Sequence, residues 1–413
     1  MLVHIVSLAD EGTMIKVVHI CCYLQRGAGL CAARIMKSTS EYGVENYALL
    51  ASGTSNDRID VIRPPRHFSR VWIQFKIKTF LYRMKLKKAI RHYDIVGAFT
   101  SPVAIYRFAD HPWIKESDII HIHWVGGFLD YESFFTKVKK PIVWTLHDEN
   151  PGLGGFHYSY WRDKSTDKGR KMEQAFVEIK KKAYSQINSM YLVAVSSKMK
   201  DFVKKNELLQ KFPHILIPNG VDDTIFFPVQ RETARGKMHI DENRKVFLFI
   251  ADNLFEDRKG LRELIQAMER LNLPNSTLLC LGRCQNPPQS SVDIRCEGFV
   301  ADQYILSLYY SAADYVVMPS YQEAFSQISL EAMACGTPVI VFPCSGAADL
   351  IRPFNGVVCN DFTVEALVEA IRKAMVTQYN RSEIREDIVR RYSYKVIGKR
   401  YAQLYEKILK DKE

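Results

Sequence analysis

Tyr315-Val-Val-Met318, then Glu323-Ala-Phe-Ser-Gln-Ile-Ser-Leu-Glu331, then Gly336-Thr-Pro-Val-Ile340: this stretch reads as a strand, a loop opening a helix near Ser326, and a tight turn into a second strand. Both strand runs are short and apolar at nearly every position, the mark of strands buried on two faces. A helix crossing between two such strands makes them parallel. The same alternation extends in both directions. In the second half, strands are expected at Lys245–Ile250, Thr277–Leu281, Tyr315–Met318, Pro338–Phe342 and Gly356–Cys359, with helices near 258–271, 302–312, 327–334, 363–376 and 381–392. The first half carries strands at Lys16–Cys22, Tyr47–Ala51, Asp118–Trp124, Pro141–Leu146, Tyr191–Val195 and His214–Pro218, with helices at about 29–42, 70–92 and 170–188.

Two β/α runs of about 200 residues each point to two Rossmann-like, doubly wound α/β domains. The join is Pro218-Asn-Gly-Val-Asp-Asp-Thr-Ile-Phe-Phe-Pro228, rich in chain breakers. The expected division is 14–217 and 218–392, with an amphipathic segment over 393–413 returning to brace the first domain. A length of 413 residues suits this, and 47% hydrophobic with 25% charged residues excludes disordered and fibrous classes. No apolar run reaches the 18 or so residues of a membrane helix. Met1–Thr13 carries Asp10 and Glu11 and lacks the basic start of a signal peptide. It reads as an upstream start of little structural weight.

The net charge of +11 is unevenly placed. Residues 1–225 hold 33 Lys/Arg against 22 Asp/Glu, whereas the remainder is balanced at 24 each. Arg63 to Arg91 contains ten cations and no acid, interleaved with Trp72, Phe75, Phe80, Leu81 and Tyr82. Such a segment is either a solvated basic helix or attracts an anionic membrane surface. Nucleic acid is not expected as a partner. The nine cysteines are odd in number, form no CxxC pair, and lie mostly in apolar runs, as in a reducing cytoplasm.

Four constellations carry chemistry. Gly27-Ala-Gly29 follows a strand and precedes a helix, where amides approach an anion closely, although the third glycine of a dinucleotide fingerprint is missing. His147 and Asp148 stand just past a buried strand, at the ligand-binding end of a parallel sheet. His121 and His123 share a strand face, but without a supporting carboxylate pattern no metal is expected. Arg258 and Lys259 open a helix, where cations oppose the macrodipole unless an anion joins them. Glu323 and Glu331 flank the helix start at Ser326. Glu331 lies about 7 Å along the axis from it, so a diphosphate at the helix start leaves one carboxylate near each end of a nucleotide sugar.

At these residues the chain resembles the retaining glycosyltransferases of family 4 (glycosyl transferase group 1), of bacterial polysaccharide-synthesis type. Their hallmark is Glu-x7-Glu, matched by Glu323 and Glu331. The resemblance extends to Asn219-Gly-Val-Asp222, Arg258-Lys-Gly260, Gly298-Phe-Val300, Ala313–Ser320 and Gly336–Ile340. In the first half it includes Gly27–Gly29, Trp144–Asp148 and Gly154–Tyr158. It implies a GT-B fold, two Rossmann-like domains facing a central cleft, and transfer of a hexose-type sugar from a nucleotide-diphosphate donor to a saccharide or lipid-linked acceptor. No cofactor or metal is implied.

By resemblance, Glu331 holds the donor ribose and Glu323 the hexose. The amides of Phe325, Ser326 and Gln327 lie at sugar and phosphate, and Arg258 and Lys259 neutralise the diphosphate. The Gly298–Val300 backbone lines the base, Gly27 and Gly29 face phosphate and acceptor, and His147 sits at the transferred sugar. Asn253, Ala324, Ser326 and Ser345-Gly346 depart from the common pattern, which leaves the sugar open. A sugar-nucleotide epimerase on the same scaffold and a non-catalytic nucleotide-sugar binder remain alternatives. The expected location is cytoplasmic, peripheral on the inner face of the membrane.

Overall fold

The computed structural model describes residues 14–25, 27–77, 80 and 97–411. The opening segment 1–13 and much of the basic segment, including Lys78, Lys85, Lys87, Lys88 and Arg91, lie outside the described residues. Two all-parallel sheets make the frame. The first holds β1 (Ile15–Cys21), β2 (Val44–Leu50), β3 (Ile59–Val61), β4 (Ile119–Ile122), β5 (Ile142–Leu146), β6 (Met190–Ala194) and β7 (His214–Leu216), in spatial order β3-β2-β1-β4-β5-β6-β7. The second holds β8 (Lys245–Asn253), β9 (Ser276–Arg283), β10 (Ile294–Gly298), β11 (Tyr315–Met318), β12 (Val339–Val341) and β13 (Gly356–Val358), in order β10-β9-β8-β11-β12-β13. Strand order reverses between β1 and β4 in one sheet and between β8 and β11 in the other. This is the doubly wound, GT-B arrangement.

The central strands are apolar because helices cover both faces. β5, β11 and β12 are buried at every residue. β3 and β10 were not expected from the sequence. Both lie at sheet edges and are half-buried throughout, so their polar residues mask the strand signal.

The last helix, Tyr394–Lys410, packs Ile397, Tyr401, Leu404, Tyr405 and Ile408 against Val17, Ile119, Val143 and Val193 of the first sheet. The chain crosses between domains twice, and the two crossings are bonded together: Val221 N donates to Tyr392 O at 2.9 Å, and Tyr394 N to Val221 O at 3.1 Å. Among the described residues, no helix is long and apolar enough to cross a membrane.

Candidate functional site

The two domains enclose a cleft of about 910 Å³. Ligands of open parallel sheets settle outside the carboxyl ends of the strands, where strand order reverses. On the first sheet that crevice is walled by Gly27, just past β1, by Trp124, just past β4, and by His147, just past β5. On the second, the loop after β8 delivers Arg258 and Lys259, and the loop after β11 delivers Glu323, Phe325 and Ser326. Gln327 and Glu331 follow on the helix Gln327–Ala334, and Val300 comes from the loop after β10.

Two expected residues, Gly29 and Gly298, are not on the cleft wall. A Cβ at Gly29 would stand 1.9 Å from the carbonyl oxygen of Tyr23, so this glycine lets the helix Gly27–Thr39 lie against the loop after β1. Gly298 has φ +78° with open space around it. It turns the chain so that its neighbours Phe299 and Val300 face the cleft.

Glu323 is the hub of a buried charge cluster. Lys259 Nζ pairs with Glu323 Oε1, and Arg258 Nη1 lies 3.4 Å from the same oxygen. Arg258 also binds Glu256 at 2.7 Å, donates to the Gln322 carbonyl, and lies 4.5 Å over the Tyr158 ring. Burial would raise the Glu323 pKa, but Lys259 and Arg258 outweigh it and hold the carboxylate ionised, below its ordinary range. The two cations expected to await an anion thus already neutralise the protein's own acids. Lys259 is the more reachable, with 14% of its side chain exposed against 6% for Arg258.

At the helix start, Ser326 Oγ accepts from Ser329 N at 3.2 Å and caps the first turn. The amides of Gln327 and Ile328 have no acceptor among the described residues, as a first turn requires. The side chain of Gln327 is engaged: its Nε2 donates to Gly220 O at 3.1 Å.

Glu331 is 6% exposed and meets a residue the sequence reading did not single out. Arg34 Nη2, from the first domain, lies 3.0 Å from Glu331 Oε1 and donates to Gln303 Oε1 at 3.0 Å. Tyr310 OH donates to the other Glu331 oxygen at 3.2 Å. Burial raises the Glu331 pKa despite Arg34, the opposite of Glu323. Arg34 Nε and Nη1 are buried without an acceptor among the described residues. The available sequence signal was position: Arg34 lies two helical turns after Gly27, on the face that also carries Leu30 and Cys31 into the cleft.

His147 Nε2 lies 3.1 Å from His123 Nδ1, and burial lowers the His147 pKa to about 4. Beside it, Asp148 accepts from Trp124 Nε1 at 2.8 Å, His157 Nδ1 at 2.5 Å and Asn150 N at 3.0 Å. Ligand atoms of His19, His121 and His123 lie within 4.8 Å of one another. Each of their six ring nitrogens already has a hydrogen-bond partner: His19 with His123 and Asn46, His121 with Tyr405 and Thr145, His123 with His19 and His147. The cluster is knit to itself.

Residues 244–376 match the family model described as "Glycosyl transferases group 1". Over 247 residues the chain is 25% identical to the N,N'-diacetylbacillosaminyl-diphospho-undecaprenol alpha-1,3-N-acetylgalactosaminyltransferase of Campylobacter jejuni, covering 54% of this chain and 65% of that enzyme. The chain therefore spans just under two thirds of that relative's length. Among solved structures, sucrose-phosphate synthase from Thermosynechococcus elongatus superposes with a TM-score of 0.68 at 17% identity, covering 96% of this chain and 100% of that one. Anabaena Alr3699/HepE in complex with UDP-glucose gives 0.67 at 15%, covering 95% and 100%. These likenesses show the fold.

Proposed function

We propose that this chain, which carries a glycosyl transferases group 1 domain at residues 244–376 on a GT-B frame, moves a hexose-type sugar from a nucleotide-diphosphate donor to a saccharide or lipid-linked acceptor, with retention of anomeric configuration. The observation that carries this reading is the meeting of Glu323, Lys259, the open amides of the 327–334 helix, Glu331 and His147 on one interdomain cleft. The nucleotide ribose lies at Glu331, the diphosphate at the Gln327 and Ile328 amides, and the sugar between Glu323 and His147. Its solved neighbour Alr3699/HepE was captured with UDP-glucose, a donor of this class.

As the bond from anomeric carbon to phosphate oxygen breaks, its electrons stay on the diphosphate. Helix amides and Lys259 stabilise that charge without reorganising. Arg258, stacked under Tyr158 and bonded to Glu256, acts by holding Glu323 in place. The acceptor hydroxyl bonds to the anomeric carbon on the face the diphosphate leaves, and its proton passes to a phosphate oxygen. No metal and no further cofactor take part. Closure of the two domains over bound substrates would exclude water, which favours transfer over hydrolysis.

The acceptor is lipid-linked and belongs to cell-envelope polysaccharide synthesis. The Campylobacter relative is named for a saccharide on diphospho-undecaprenol. The first domain also offers a surface for such an acceptor's membrane: residues 70–77 are helical, Phe68 is 79% exposed, and Ile73, Ile77 and Phe80 recur at helical spacing and are exposed beside Arg66, Arg70 and Lys76. The chain then works peripherally, on the cytoplasmic face.

A thermal-shift panel of UDP-, GDP-, ADP- and dTDP-sugars tests the donor site, because a ligand that binds only the folded state raises Tm. One base class is expected to raise it, and Glu331→Ala is expected to weaken that ligand by about 10- to 100-fold through loss of charged hydrogen bonds. Unchanged affinity in Glu331→Ala would remove the ribose assignment.

A further inference from the structure

Three histidines of the first domain, His19, His123 and His147, lie in hydrogen-bond sequence from Asn46 to the cleft, and the bond at the Asn46 end has a fixed direction. Asn46 Nδ2 lies 3.0 Å from Met36 O and 3.2 Å from Val44 O. Carbonyl oxygens only accept, so Nδ2 is the amide nitrogen and Oδ1 is the atom facing His19 Nε2 at 2.9 Å. His19 Nε2 must therefore donate.

Burial lowers the pKa of His19 to about 4 and that of His123 well below its ordinary value. At neutral pH each ring is neutral and carries one N–H. With its proton on Nε2, His19 can only accept at Nδ1, so His123 Nε2, 2.9 Å away, donates to it. His123 Nδ1 is then a bare lone pair, and His147 Nε2 donates to it at 3.1 Å. The last ring, His147, is neutral as well, and its Nδ1 has no hydrogen-bond partner among the described residues. His147 lines the cleft.

We propose that Asn46, His19 and His123 form a one-directional hydrogen-bond chain that fixes His147 as its Nε2–H tautomer and so makes Nδ1 an obligatory acceptor for a hydroxyl bound in the cleft. The three are positioning residues, since they act on the substrate only through His147. A ring free to exchange tautomers meets a sugar hydroxyl as donor for part of the time and must be reorganised on binding. The locked ring offers one polarity, set in the core by an amide whose own orientation the backbone dictates. The side neighbour His121 is held separately by Thr145 Oγ1 at 2.8 Å and Tyr405 OH at 2.7 Å, and it takes no part in the sequence of bonds. That the hydroxyl belongs to the transferred sugar rests on the proposed function; the tautomer does not.

The test is the ring nitrogen spectrum of the full chain labelled with 15N-histidine, with His147 assigned by the signal lost in His147→Gln. The expected wild-type result at pH 7.5 is a pyridine-type Nδ1 and a pyrrole-type Nε2 for His147, without substrate. A pyrrole-type Nδ1, or an averaged pair of shifts, overturns the proposal. This measurement needs no variant to fold. In His123→Leu the His147 shifts are expected to average and kcat/KM to fall about tenfold, the scale of one misdirected hydrogen bond. In His123→Asn, Oδ1 stands near the former Nδ1 and restores the single tautomer and most of the activity. Equal loss in both variants with an unmoved His147 spectrum also overturns the chain. A normal spectrum in a protein that transfers no sugar counts against the transferase reading and leaves the tautomer assignment intact.

Discussion

His147 was singled out in the sequence and His19 was not, and burial makes both of them pH sensors of the first domain. Each ring is brought to about 4 by burial, whereas an unfolded histidine titrates near 6.5. Between pH 6.5 and 4 the unfolded chain holds more protons than the folded one, so stability rises with pH across that window. Above pH 6.5 the contribution is complete. Acidification removes on the order of 3 kcal/mol per ring by pH 4. Urea unfolding from pH 7 to 4.5 is expected to show a falling midpoint, and His19→Gln to flatten that slope; identical slopes would refute the assignment. Glu323 and Glu331 were visible in the sequence because they flank a helix start that leads through Gly336-Thr-Pro338 into a strand, and because they match the Glu-x7-Glu of the family the chain resembles. Arg34 was not, because its carboxylate partner is 297 positions away and only the fold brings them together. For the same reason His121 and His123 were read as one face, but His19, on the neighbouring strand in register with His121, was left out.

Among the elements, interior strands announced themselves and edges did not. β5 and β11 are apolar on both faces, as a parallel strand under two helix layers must be. β3 and β10, half in water, lack that signature. The helix at 327–334 was placed correctly because Ser326 is a good cap and Gly336-Thr-Pro338 a good stop. The turn at Gly27–Gly29 was found but its second glycine misread: Gly29 serves the packing of the helix on the loop after β1, with Tyr23 O in the way of any side chain. Gly29→Ala is accordingly expected to destabilise the first domain by about 1–3 kcal/mol, the ordinary cost of overpacking. Nucleotide affinity, measured by calorimetry below the melting range, should stay unchanged. A selective loss of affinity would return Gly29 to the binding site.

Across the whole molecule, the two domains meet on both flanks of the cleft. Arg34 and Glu331 join them on one side. On the other, Gln322 Nε2 donates to Glu149 Oε1 at 2.6 Å, and Ser197 N and Oγ both donate to Asp349 at 2.6 Å. The two side-by-side crossings at Val221 and Ser393 give them a common pivot. The charge imbalance read from composition lies in the first domain, and its described part places Arg66, Arg70 and Lys76 beside exposed Phe68, Ile73 and Ile77. Vesicles containing anionic lipid are expected to bind the protein, with affinity falling as salt rises. Neutralising Lys76, Lys78, Lys85, Lys87 and Lys88 should weaken binding by about 1 kcal/mol per charge near the surface. Equal binding to neutral vesicles would exclude this surface as the contact.

The helix Tyr394–Lys410 closes the face of a sheet whose last strand ends at Leu216. On the ribosome, that sheet is complete about 180 residues before its cover is synthesised, a wait of roughly 10–35 s at common elongation rates. Meanwhile Val17, Ile119, Val143 and Val193 lack the cover of Ile397, Tyr401, Leu404, Tyr405 and Ile408, and the hydroxyls that bind His121 and Thr145 do not yet exist. The half made first is thus the half finished last. A nascent chain in that interval presents an oily, histidine-bearing surface to the chaperones of the cell, while the second domain folds with all its own parts to hand.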